Sequence, residues 1–218
     1  MPITMNTRFQ MVKAKDAAIQ IVKALLHFDA LTGGTFTDEF GHVIQNIGVT
    51  LDTTIKKFGT GSAYSSGGAL IYPLATDDYL LDGWTIEAQI YPTGTLLQWF
   101  VQEGSGASPA SITPSGDLDI RSNSGPIGIL SMGTYALNTW THLAVVRNGN
   151  VITTYKDGIQ QDTITLSLPN DELVQSVPGN RMIIVGNYEG NIDEFRFTNG
   201  AAVYTSNFTP PVAPFSPP

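Results

Sequence analysis

The stretch Trp84-Thr85-Ile86-Glu87-Ala88-Gln89-Ile90-Tyr91 decides the fold. Its apolar residues Trp84, Ile86, Ala88 and Ile90 alternate with Thr85, Glu87, Gln89 and Tyr91. Successive side chains of an extended chain point to opposite faces, so this period of two predicts a β-strand with one buried face. Two turn signals lie further along. Arg147-Asn148-Gly149-Asn150 sets Asn-Gly between two apolar runs, and Lys156-Asp157-Gly158-Ile159 repeats the device with Asp-Gly. Both dipeptides favour tight hairpins, so the pair predicts an antiparallel meander. Further strands are expected at residues 22–29, 69–73, 98–102, 140–147, 151–156, 163–168, 182–185 and 192–198. Short strands separated by turns point to an all-β, two-sheet antiparallel β-sandwich.

Composition agrees. At 218 residues the chain has the length of one all-β domain. Hydrophobic residues make up 42% and charged residues 14%, which excludes a disordered acidic chain. The 22 glycines and 13 prolines favour turns over long helices. The chain contains no cysteine, which excludes a disulfide scaffold and a thiol nucleophile. A net charge of −8 repels phosphate, so nucleic acid is not expected as a partner. No apolar run is long enough for membrane insertion, and the N-terminus lacks the hydrophobic block of a signal peptide, so synthesis in a cytoplasm is expected.

Three parts follow: an N-terminal arm at residues 1–22, a sandwich body at 23–209 and a proline-rich C-terminal strap at 210–218. The arm carries Arg8, Lys13 and Lys15 against Asp16, a net +2 on an otherwise acidic chain. It reads either as a lead-in strand or frayed end, or as an arm that docks on a neighbouring subunit or larger assembly. Proline lacks a backbone donor, so the strap is no central strand. Phe208, just ahead of it, and Val212 and Phe215 within it are the candidates for packing on the body.

Three stretches carry a family resemblance. They are Leu25-Leu26-His27-Phe28-Asp29 with Thr37-Asp38-Glu39-Phe40-Gly41-His42; Trp140-Thr141-His142-Leu143-Ala144-Val145-Val146-Arg147 with Tyr155-Lys156-Asp157-Gly158; and Gly190-Asn191-Ile192-Asp193-Glu194-Phe195-Arg196-Phe197 with Tyr204 and Phe208-Thr209-Pro210-Pro211. In that order the set resembles laminin G-like, concanavalin A-like jelly-roll domains over roughly residues 22–210. The closing pattern is similar to versions found in tailed-bacteriophage virion proteins. The resemblance implies a non-enzymatic virion component, decorating the head or associated with the tail. Its implied partners are other virion proteins of capsid or tail and further copies of the chain, with host cell-surface glycans as a possible ligand. The alternative it leaves open is a receptor-binding adhesin or a glycan-degrading enzyme of a tail spike.

Chemistry is sparse. A glycosidase needs two carboxylates facing one cleft. Asp117-Leu118-Asp119 is a same-face pair that reads as a solvated strand edge, while Asp193 and Glu194, being adjacent, are expected to face opposite sides. His27, His42 and His142 lack metal-triad spacing. Through the family resemblance, calcium is the one candidate cofactor, with Asp29 and Asp193 as ligands and Asp38 as a looser one. A turn-forming aspartate accounts equally well for Asp38. For glycan binding the available loop aromatics are Tyr64, Tyr72, Tyr79 and Tyr91, whose rings pair an apolar face with a polar edge. Trp84 and Trp140 are read as core anchors, and Trp99 lies in an apolar run compatible with full burial.

Overall fold

The computed structural model describes residues 21–73, 83–94, 98–103, 110–112, 116–122, 125–167 and 181–217. Fifteen strands follow one another among them: β1 (Ile21–Leu26), β2 (Gln45–Ile47), β3 (Thr50–Asp52), β4 (Ser62–Ser66), β5 (Ala69–Pro73), β6 (Gly83–Pro92), β7 (Gln98–Glu103), β8 (Ala110–Ile112), β9 (Asp117–Ser122), β10 (Gly125–Ser131), β11 (Thr141–Asn148), β12 (Val151–Lys156), β13 (Ile159–Thr165), β14 (Arg181–Gly186) and β15 (Glu189–Asn199). The large sheet runs β13-β12-β11-β6-β15-β4-β3, with β1 on the second half of β15. A four-stranded sheet, β2-β5-β14-β7, and a three-stranded one, β10-β9-β8, complete the fold. Every pairing is antiparallel. The arm lies outside the described residues up to residue 20, and Ile21 and Val22 already pair with Asn199 and Thr198.

The core gathers alternate residues of facing strands. Trp84, Ile86, Ala88 and Ile90 of β6 meet Leu143 and Val145 of β11, Phe195 and Phe197 of β15, Leu70 and Tyr72 of β5, and Met182 and Ile184 of β14. Full burial of each Leu- or Phe-sized side chain contributes roughly 1.5–3 kcal/mol, which is what holds the layers together.

Both hairpins form. The second uses Asp157-Gly158 as its two-residue loop, with φ of +48° and +75°. That is the primed turn whose twist matches the flanking strands. The first is shifted by one residue. Asn148 pairs with Val151, so the loop is Gly149-Asn150 and only Gly149 is left-handed, at φ +59°. Glycine enters that conformation without steric cost, and this places it at the corner.

Two expectations from alternation fail, each for a physical reason. Strand β6 has both faces covered: Thr85, Glu87 and Gln89, opposite the core set, are also buried. The covering comes from the segment after β15. The N–H of Val203 donates to Thr85 Oγ1 (2.8 Å), Tyr204 donates to Glu87, and Phe208 packs with Tyr204 on Ala144, Val146 and Tyr155. Phe208 N–H also donates to Gly158 O (2.9 Å). A Cβ at Gly158 would stand 1.9 Å from Phe208 O, so the turn glycine also makes room for the strap. Of the strap's candidates, Phe208 and Phe215 pack, whereas Val212 is 86% exposed.

Asp193 and Glu194 do not face opposite sides as neighbours on a regular strand would. The register against β6 slips between Asp193 and Arg196, and Glu194 sits at φ +51°. This β-bulge puts Ile192 and Phe195, three residues apart, into the same core and leaves both acids out of it. The bulge falls where β15 exchanges β4 for β1 as its neighbour.

Candidate functional site

A cleft of 450 Å3 opens where the chain passes from β10 into β11, facing the β12–β13 turn. Asn138 turns the chain into it, with a left-handed φ of +55° and its N–H held by Pro92 O at 2.7 Å. Asparagine tolerates this conformation better than other non-glycine residues. The turn delivers Thr139 and Trp140 to the cleft wall just before β11 begins. Trp140 is half-buried, and its ring lies 5.4 Å from that of Tyr91, inclined at 52°. Tyr135 lines the same cleft, and burial together with the nearby Asp117 charge raises its hydroxyl pKa, so the phenol stays neutral at physiological pH. On the opposite wall, Lys156 Nζ donates to Thr134 O (2.5 Å), tying the two walls together. Asp157 Oδ1 accepts the N–H of His142 (2.9 Å) and fixes the turn. Half-exposed aromatic faces beside hydroxyl, ammonium and carboxylate groups suit a small ligand with apolar C–H faces and polar edges.

This cleft was only partly visible beforehand. Of the four candidate tyrosines, Tyr91 stands beside it. Tyr72 is buried and donates its hydroxyl to Lys23 O (2.7 Å), Tyr64 lies away on β4, and Tyr79 is outside the described residues. The side chain of Trp99 is likewise outside them. Trp84 is a core anchor as expected, at 1% exposure. Trp140 is not in the core: it shares the outward parity of His142, Ala144 and Val146, while Leu143 and Val145 point inward. That parity was the available signal. Tyr135 offered none, because it lies in an irregular loop.

The three aspartates expected as calcium ligands hold backbone instead. Asp29 Oδ1 accepts the N–H groups of Thr60 and Gly61 (2.9 Å for Gly61) and the Thr60 hydroxyl. Asp193 Oδ2 accepts Lys57 N–H (2.8 Å) and Phe58 N–H (3.0 Å), and its Oδ1 accepts Glu194 N–H (2.9 Å). Both therefore pin the loop between β3 and β4. Asp38 caps its own turn, accepting from Phe40 N–H and His42 N–H, and meets His42 Nδ1 at 2.9 Å. Calcium needs six to eight oxygens around one point. Among the described residues no three His, Asp or Glu side chains converge to hold a metal ion.

Burial pushes the pKa of Asp193 up to about 7, against the opposing N–H donors of Phe58 and Lys57 and with a further upward push from Glu194. A native-state pKa above the unfolded value of 3.8 means that the folded chain holds this proton longer. Its contribution to stability is complete below about pH 4 and is lost as pH rises through the native value. The melting temperature is expected to fall between about pH 4 and about pH 7, and Asp193→Asn, though less stable throughout, should flatten that slope. An unchanged slope in the variant, followed by thermal denaturation, would assign the titration to another group.

A second cluster lies beneath the strap. Glu87 and His142 are wholly buried, with Glu87 Oε2 3.0 Å from His142 Nε2. Arg196 donates to Glu87 Oε1 through Nε (2.9 Å) and Nη2 (2.6 Å), and Tyr204 donates to Oε2 (2.8 Å). Burial alone would raise the pKa of Glu87. The His142 hydrogen bond and the Arg196 charge outweigh it and hold the carboxyl below its usual range. Phe215 closes the group, its ring 4.0 Å from the Arg196 guanidinium. This network locks the strap to the sheet.

Comparison with known proteins bears on the fold. The family described as the concanavalin A-like lectin/glucanases superfamily matches residues 65–203. No curated protein matches the chain. Domain 4 of an extracellular arabinanase from Geobacillus stearothermophilus, solved in complex with arabinotriose, superposes with a TM-score of 0.65 at 16% identity, covering 84% of this chain and 95% of that one. The binding domain of Paraclostridial Mosquitocidal Protein 1 gives 0.63 at 12% identity, covering 84% and 49%. The binding domain of Botulinum Neurotoxin DC, in complex with SialylT, gives 0.57 at 16%, covering 87% and 49%. The chain thus spans nearly all of the arabinanase domain and about half of each toxin domain. At these identities the likeness establishes a shared sandwich.

Proposed function

Since the chain belongs to the concanavalin A-like lectin/glucanase superfamily, we propose that it is a non-enzymatic, lectin-like module that holds a glycan in the Trp140 cleft. The carrying observation is the half-buried Trp140 ring set against Tyr91 at the wall of an open cleft. A sugar ring presents a face of C–H groups edged by hydroxyls, and an exposed aromatic ring with hydrogen-bonding neighbours matches both. Structural neighbours solved with arabinotriose or SialylT support a glycan as the ligand class. The reading as a binder rather than a hydrolase draws on the lining residues, among which Asp157 alone bears a carboxylate. Cleavage of a glycosidic bond takes a pair.

The proposed setting is the surface of a tailed-bacteriophage particle, on head or tail, with other virion proteins and further copies of the chain as neighbours. Its support is the closing pattern of residues 192–211. Antibody labelling of intact particles in electron micrographs tests this setting separately from the ligand.

Trp140→Ala is the test of the cleft. Because Trp140 lies outside the core, the variant should keep the wild-type circular-dichroism spectrum and lose glycan-array binding by at least tenfold. An aromatic face removed from a binding surface costs on the order of 1–3 kcal/mol, consistent with that loss. A folded variant that binds the same glycans with undiminished affinity would end the proposal for this cleft.

A further inference from the structure

We infer that the cleft takes an uncharged sugar, one or two rings of a soluble oligosaccharide, and discriminates against sugars bearing a carboxylate or sulfate. The inference rests on the glycan reading above and adds the ligand's charge and shape.

Charge comes first. Lys156 is the one cationic residue among those lining the cleft. Its ammonium is already bonded to Thr134 O, and the exposed Asp157 carboxylate follows it in the chain. Asp117 adds a second negative charge close enough to act on the Tyr135 hydroxyl. Strong recognition of a carboxylate or sulfate draws on bidentate arginine forks or several charge-assisted donors. Among the described residues no arginine lines this cleft. The chain as a whole carries −8, and a field of that sign lowers the local concentration of anions before contact. A neutral sugar meets none of these penalties and finds donors and acceptors in Thr139, Tyr135 and Asp157.

Shape comes second. Trp140 and Tyr91 are inclined at 52°, so their faces form a wedge and not a flat strip. A crystalline polysaccharide surface needs coplanar rings along its length, whereas these two rings pack on each other with centroids 5.4 Å apart, and of the two Trp140 alone lines the cleft. The cavity of 450 Å3 lies toward the lower end of the roughly 300–1,000 Å3 range of small-molecule clefts. That size suits a short segment or a chain end.

Isothermal titration of the whole chain at physiological salt tests the inference. Lactose, maltotriose, cellotriose and arabinotriose serve as neutral probes, 3′-sialyllactose and trigalacturonate as acidic ones, and crystalline cellulose as a pull-down matrix. At least one neutral probe should bind, with both acidic probes at least tenfold weaker and no retention on cellulose. Asp157→Asn keeps an Asx-Gly turn and should narrow the gap between neutral and acidic probes. Acidic probes binding as tightly as neutral ones, with binding lost in Trp140→Ala, would overturn the charge inference and leave the glycan reading standing. Retention on cellulose would overturn the shape argument. Absence of binding by every probe would overturn both this inference and the reading beneath it.

Discussion

Replacing Glu87 with alanine is expected to lower the unfolding free energy by about 3–5 kcal/mol, the range for removing one partner of a buried ion pair. The loss exceeds that of the missing methylenes because of what stays behind. Arg196 would keep its charge beneath the Phe215 ring with no carboxylate to meet, and the wholly buried His142 and the Tyr204 hydroxyl would lose their acceptor. Glu87→Gln retains the shape and one acceptor oxygen, so it should lie between the two. The sign of the pH dependence separates charge from packing. Glu87 has a native pKa below the ordinary carboxyl value of 4.5, so its stabilising contribution is present above that value and is lost as pH falls through the native one. The gap between wild type and Glu87→Ala in urea denaturation should therefore narrow from neutral pH to about pH 3. A gap of constant size would mean that the cavity, not the carboxylate, accounts for the loss.

Phe215→Ala is the second large effect, expected at about 3 kcal/mol, near the lower bound for a phenylalanine truncated in a packed site. Phe215 is 6% exposed although it sits three residues from the last proline. It anchors the strap in two ways: its ring covers Arg196, and its N–H donates to Glu194 Oε2 at 2.8 Å. Glu194 is held in turn by His27 Nδ1 at 2.8 Å. Losing the ring admits water to the Arg196–Glu87 pair, so the two substitutions should not add. Residues sharing a partner typically couple by about 0.5–3 kcal/mol, and a double-mutant cycle of Glu87→Ala with Phe215→Ala should fall within that span. Strict additivity would show that the strap does not shield the pair. Val212→Ala is the control: at 86% exposure it should be neutral.

Much of the sandwich was legible because its signals are local. The alternation of Trp84, Ile86, Ala88 and Ile90 needs only the pleat of one strand, and the Asp157-Gly158 loop needs only the left-handed tolerance of its two residues. The β15 bulge was not legible. Alternation assumes one residue per partner residue, and at Glu194 that rule breaks, where the strand changes neighbour. The aspartates illustrate the same limit. Asp29 stands out in sequence as an acid after the first strand and Asp193 as one in the closing strand, yet what they bind are amide groups of a loop some 31 to 136 residues away. The candidate cleft was the least legible part. Trp140 could be seen as an aromatic at the mouth of a strand, but its half-exposure depends on the course of residues 132–139, and Tyr135 had no pattern to mark it.

Sequence alone determined the β-class of this chain, its antiparallel meander and the inward set of β6, because each follows from the stereochemistry of residues near one another in the chain. Tertiary structure alone decided that the outer face of β6 is also closed. Glu87 and Tyr204 are 117 residues apart, and no local period encodes their meeting. It decided as well that Trp140 stands at an open cleft. Burial is a property of what the rest of the chain places over a face, and here the strap covers the strand interior and stops short of its mouth.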